Sequence, residues 1–66
     1  MKVIVNGDTL EVGQNSSLTA LVEQLGLTEK RIAIELNREI IPKGLHGETQ
    51  LQAGDTIEVV QAIGGG

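Results

Sequence analysis

Ser17-Leu18-Thr19-Ala20-Leu21-Val22-Glu23-Gln24-Leu25-Gly26 is the one stretch of this chain whose apolar residues recur at helical spacing. Leu18, Leu21, Val22 and Leu25 fall at i, i+3, i+4 and i+7, the stripe of a single amphipathic helix. Ser16 or Ser17 can cap its start by accepting a hydrogen bond from a free N–H of the first turn. Gly26 stands where a left-handed C-terminal cap belongs, and Leu27 beyond it can fold back on the last turn. The spacing predicts one helix, Leu18 to Leu25. Everything around it alternates with period two or turns, so the fold is one helix among strands.

On the N-terminal side, Met1, Val3 and Val5 alternate with Lys2, Ile4 and Asn6. Gly7-Asp8 reads as the turn, and Leu10 and Val12 then alternate with Thr9 and Glu11, which completes a β-hairpin. On the C-terminal side, Thr28 to Arg31 is a short polar connector. Ile32, Ile34 and Leu36 alternate with Ala33 and Glu35. Asn37-Arg38 is a tight turn into a brief strand, Glu39 to Ile41, stopped by Pro42, which cannot donate to a ladder. Lys43 to Gln50 reads as an irregular loop, Thr49 to Leu51 as a very short strand, and Ala53-Gly54-Asp55 as a turn. Thr56 to Gln61 is the last strand, with Ile57 and Val59 inward and Glu58 and Val60 outward.

The order β-β-α-β-β-β, with two hairpins flanking one helix, predicts an α+β domain of the β-grasp (ubiquitin-like) type. One helix covers a mixed sheet of four to five strands. The domain spans 1–63, and Gly64-Gly65-Gly66 form a flexible tail without side chains to pack. In such a fold the first and last strands lie side by side at the sheet centre. Their outward faces then carry Lys2, Ile4 and Asn6 beside Glu58, Val60 and Ala62. Ile4 and Val60 are expected to make a small apolar patch near the root of the tail.

Composition narrows the function. A chain of 66 residues buries only about 60% of its unfolded surface, and its core supplies on the order of 3–5 kcal/mol. There is no Cys, so disulfides, thiolate catalysis and thiolate metal sites are excluded. There is no Phe, Trp or Tyr, and the 21 Val, Ile and Leu residues must build the core. Without aromatic stacking platforms, and with a net charge of −4 and no basic run, nucleic-acid binding is not expected. No apolar segment is long enough to span a bilayer, and Met1-Lys2-Val3 leads straight into a strand pattern, not a signal peptide. A soluble, cytoplasmic chain, monomeric when free, is the expectation.

Conventional catalysis is hard to assemble here. Ser16, Ser17 and the threonines have only His46 as an imidazole partner, with no motif to bring it near, and His46 reads as a solvated loop histidine. Glu29, Glu35 and Glu39 read as exposed and scattered. No carboxylate spacing points to a metal, and the glycines lack the Lys-Ser/Thr pair and the following helix of a phosphate loop. The chemically unusual group is the C-terminal carboxylate on a thin tail. Joined to AMP it becomes a mixed anhydride with a good leaving group, and a sulfur nucleophile can then displace AMP to leave a thiocarboxylate. The carrier itself needs no catalytic residue for this.

Over essentially its whole length the chain resembles the sulfur carriers of bacterial thiamine biosynthesis, the ThiS family. The resemblance rests on Val5-Asn6-Gly7 after the first strand and on the Leu-rich helix. Ala33-Ile34-Glu35-Leu36-Asn37-Arg38-Glu39-Ile40-Ile41-Pro42, Gly54-Asp55-Thr56-Ile57-Glu58-Val59-Val60 and the tail Ala62-Ile63-Gly64-Gly65-Gly66 complete it. It implies that a ThiF-like adenylating enzyme uses Mg-ATP to adenylate Gly66. Sulfur derived from a cysteine desulfurase then replaces AMP, and thiazole synthase (ThiG) consumes the sulfur. By the same resemblance Gly66 carries the thiocarboxylate, and Gly64 and Gly65 form the tail; the outward-facing Ile4 and Val60, with Ala62 and Ile63, are expected to form the partner-docking patch. The carrier binds no cofactor of its own; ATP and Mg belong to the partner enzyme. The alternatives are a carrier like the small subunit of molybdopterin synthase, and a ubiquitin-like modifier or interaction module.

Overall fold

The computed structural model describes residues 1–61. The elements are β1 (Lys2–Val5), β2 (Asp8–Glu11), α1 (Leu18–Gln24), β3 (Ile32–Leu36), β4 (Glu39–Ile41) and β5 (Thr56–Gln61), with a 3-10 turn at Lys43–Leu45 before β5. One five-stranded sheet runs in the order β2-β1-β5-β3-β4. β1 and β5 pair in parallel at its centre, and every other neighbouring pair is antiparallel. With α1 on one face, this is the β-grasp arrangement. The Thr49–Leu51 strand reduces to a single bridge, Ser17 to Gln50, outside the sheet.

The helix forms where its stripe and caps agree. Of the two serines, Ser17 is the cap: its Oγ accepts from the Ala20 N–H at 3.1 Å. The Ser16 hydroxyl instead donates to the Gly13 carbonyl at 2.7 Å. Leu25 is the C-cap residue, not the last helical one, and the left-handed residue after it is Gly26 at φ +73°. The N–H of Gly26 donates to Glu23 O and that of Leu27 to Val22 O, both at 3.0 Å. These paired bonds make a Schellman cap, which satisfies carbonyls the helix end leaves free. They also turn Leu27 back against the core.

The core lies between α1 and one sheet face. Leu18, Leu21 and Val22 of the helix meet Val3 and Val5 of β1, Ile34 of β3 and Ile57 of β5. Leu18, Leu21, Ile34, Ile57 and Val3 have essentially no exposed surface. Each such side chain contributes about 1.5–3 kcal/mol by leaving water, so a small domain rests on few residues.

Both hairpins close through two-residue loops with positive φ at both positions. The first is Asn6 (50°) and Gly7 (86°); the second is Asn37 (51°) and Arg38 (73°). This is the type I′ geometry that matches strand twist. The first turn is therefore Asn6-Gly7, one residue earlier than the Gly7-Asp8 expected from alternation. Asp8 is already in β2, opposite Val5. Alternation alone cannot locate the end of a strand, whereas left-handed backbone selects Asn then Gly.

Candidate functional site

Among the described residues, no helix covers the face of the sheet away from α1. Strand register places its residues in rows. Ile4 lies beside Thr56, and Val60 is four residues further along β5, opposite Ala33. At about 3.3 Å per residue, the offset along the strands is about 13 Å. Ile4 and Val60, exposed by 37% and 61%, therefore do not form the single patch expected from their outward orientation. The parallel register separates them. The apolar neighbour of Val60 is Ala33, while Ile40 on the edge strand β4, 69% exposed, pairs with Glu35 one row away from them. Ile40 escaped the sequence reading because a three-residue strand carries too little pattern to show which face is open.

Between these apolar points, Glu35 and Glu58 stand directly opposite each other on β3 and β5. Glu58 is exposed and Glu35 half-buried. Neither has an ion-pair partner among the described residues. Like charges facing across a ladder destabilise the pairing, so the sheet keeps an acidic row at some cost beside an exposed apolar end.

β5 leads to the tail. Ala62, Ile63, Gly64, Gly65 and Gly66 lie outside the described residues. What the structure shows is how the strand before them is held. Its amide and carbonyl groups facing β1 are covered while β1 lasts: Ile4 N donates to Asp55 O at 2.8 Å and Asn6 N to Ile57 O at 2.9 Å. β1 then turns away. At that point the Asn6 side chain takes over, Oδ1 accepting from Val59 N at 2.8 Å and Nδ2 donating to Val59 O at 3.3 Å. Asn37 does the corresponding work at the other end of β5. Its Oδ1 accepts from Thr56 N at 2.9 Å, its backbone N donates to Thr56 O at 2.7 Å, and its Nδ2 donates to Asp55 Oδ1 at 3.1 Å.

His46 is not a solvated loop residue. It is 7% exposed, and its Nε2–H donates to the Ile41 carbonyl oxygen at 2.9 Å. The 3-10 turn curls the chain back under β4 and carries the imidazole inward, which no periodicity in Lys43–Gln50 announces. The ring thus ties this loop to the edge strand. It also lines a hollow of about 360 Å³ with Val22, Leu27, Ile32, Lys30 and Lys43. No group of three or more His, Cys, Asp or Glu among the described residues could hold a metal. No described helix is long and apolar enough to cross a membrane.

A one-helix β-grasp body with an open sheet face, whose central strand runs into a glycine tail, is the geometry on which comparison with known proteins bears. A family model described as the ThiS family matches residues 2–66. The chain belongs to the ThiS family. The family shares its name with the sulfur carrier protein of thiamine biosynthesis. The sulfur carrier protein ThiS of Escherichia coli is 27% identical over 66 residues, with both chains fully covered. The crystal structure of a thiamine biosynthesis protein (ThiS) from Geobacter metallireducens superposes with a TM-score of 0.85 at 28% identity, again over the whole of both chains. A thiazole synthase of Paramagnetospirillum magneticum is 35% identical over 66 residues, all of this chain but 20% of that protein. The chain thus spans about a fifth of the thiazole synthases it matches.

Proposed function

We propose that this chain carries sulfur to thiazole assembly in thiamine biosynthesis as a thiocarboxylate on Gly66, with Gly64 and Gly65 as the thin lead that enters partner active sites. The observation that carries the reading is the ThiS-family match, which extends through the tail to residue 66. The similarity to thiazole synthases supports a ThiG-type acceptor of the sulfur.

The chemistry runs in two displacements. In a ThiF-like enzyme the Gly66 carboxylate attacks the α-phosphorus of Mg-ATP; pyrophosphate leaves and an acyl-adenylate forms. A persulfide whose sulfur originates from a cysteine desulfurase then attacks the acyl carbon through its terminal sulfur, and AMP leaves. Reduction of the S–S bond by a thiol frees the thiocarboxylate. This chain's own residues supply the handle, not the catalysis. The open sheet face is the docking surface, with Val60 and Ala33 as its apolar end, Ile40 at the edge of the acidic row, Ile4 further along the face, and Ala62 and Ile63 next to the tail in sequence. The acidic row of Glu35 and Glu58 suits a basic partner surface. Cytoplasmic location follows from the same reading.

The test is intact-mass spectrometry of the chain after incubation with ATP, a ThiF-like enzyme and a sulfur donor. The mass should rise by the difference between sulfur and oxygen. A chain lacking Gly65-Gly66 should stay folded and unmodified. An unchanged mass for the full chain would sink the carrier reading, and conjugation to lysine amines would point to a modifier instead.

A further inference from the structure

Asn6 is a turn residue whose side chain does something the turn does not require. A type I′ turn needs positive φ at its first position, and glycine supplies that as well as asparagine. The Asn6 amide is instead spent on Val59, 53 residues away in sequence, accepting at 2.8 Å and donating at 3.3 Å. With the backbone bond from Asn6 N to Ile57 O at 2.9 Å, this one residue makes three bonds to β5. The last two lie where β1 has already left the sheet. They replace the missing rung of the ladder, which would otherwise leave an N–H and a C=O of the central strand without protein partners.

We propose that Asn6 is a positioning residue for tail delivery. Its side chain extends the parallel β1–β5 ladder past the end of β1 and holds Val59–Gln61 in the sheet, so Gln61, the last residue before the tail segment, is fixed on the body. The inference rests on the carrier reading above. Asn37 makes it testable. It occupies the same position in the other type I′ turn and bonds β5 in the same way, but at Thr56, the end remote from the tail. Loss of either amide removes comparable hydrogen bonds, yet only loss of Asn6 releases the strand beside the tail.

The experiment compares Asn6→Gly, Asn37→Gly and Asn6→Asp in the full chain. Glycine keeps the positive φ and deletes the amide; Asp keeps an oxygen to accept from Val59 N. Hydrogen exchange is read at the Val59 amide relative to the Ile34 amide, which normalises for global stability. Asn6→Gly should speed Val59 exchange roughly tenfold or more beyond Ile34, the scale of one or two lost hydrogen bonds. Asn37→Gly should not. In adenylation followed by ATP–pyrophosphate exchange with a ThiF-like enzyme, Asn6→Gly should raise KM for the carrier roughly tenfold, the cost of a misdirected reactive end, with kcat little changed. Asn37→Gly should leave KM near wild type, and Asn6→Asp should recover most of the loss. Equal KM values for the two glycine variants, or unchanged relative exchange at Val59, would overturn the proposal while leaving the carrier reading intact. Failure of the wild-type chain to be adenylated would overturn both, with the exchange data still reporting whether the clamp exists.

Discussion

Replacing Glu58 with Lys should make this protein more stable and worse at its proposed task. Glu35 and Glu58 face each other across β3 and β5 with no ion-pair partner among the described residues. Directly paired residues are about 5 Å apart at Cα, and two carboxylates splayed to roughly 6 Å repel by about 0.7 kcal/mol in water. Physiological salt weakens this, since the Debye length is about 8 Å; the half-buried setting of Glu35 strengthens it. Reversing one sign removes the repulsion and adds an attraction of similar size, for a gain of about 1 kcal/mol. Urea unfolding followed by far-UV circular dichroism is the assay, because the chain has no Trp or Tyr to report by fluorescence. Glu48→Lys is the control. It changes the net charge equally, from −4 to −2, at an exposed position outside the sheet. It should move stability by only a few tenths of a kcal/mol. In a Glu35→Gln background, the gain from Glu58→Lys should nearly vanish, because both the repulsion and the attraction need a charge at position 35. In contrast, KM for adenylation should rise several-fold as a favourable charge contact becomes a repulsive one. If Glu58→Lys destabilises the fold, or if Glu48→Lys stabilises it equally, the cross-strand argument is refuted.

Three further outcomes follow from the same geometry. Gly26→Ala should cost about 1 kcal/mol, the left-handed penalty less the unfolded-state gain, because φ is +73° while an added Cβ would meet nothing within 4 Å. Gly44→Ala, equally open but without positive φ, should be neutral or slightly stabilising in the same urea titration. His46→Ala should cost about 2 kcal/mol through a lost hydrogen bond and a cavity, and thiocarboxylate yield under folding conditions should be unchanged. Val60→Asp should leave the urea midpoint near wild type and raise KM for the adenylating enzyme; unaltered KM would remove Val60 from the docking surface.

Elements whose local chemistry is self-sufficient were legible in the chain. The Leu18 stripe, its serine cap and Gly26 fix the helix because all three signals lie within ten residues. Asn37-Arg38 and Pro42 bound β4 for the same reason. What was not legible depends on distant partners. Alternation tells which face Ile4 and Val60 occupy, but a parallel pair has no turn to set its register, so their separation had to be seen. His46 is buried by a 3-10 turn packing under β4, an event with no period. The first hairpin turn moved by one residue because Asn6 continues the alternation yet takes a left-handed backbone. Its bonds to Val59 cross 53 residues and leave no local trace.

The place of β5 in the sheet has a consequence for synthesis. It is the last strand of this domain in chain order, yet it sits between β1 and β3 and supplies the fully buried Ile57. A nascent chain that stops short of it has two unjoined hairpins and an incomplete core, and closing the β1–β5 ladder means bringing distant residues together late. Folding is thus delayed until the residues preceding the tail are present. A copy truncated within β5 should therefore fail to fold and be open to proteolysis, because it lacks the central strand and the buried Ile57.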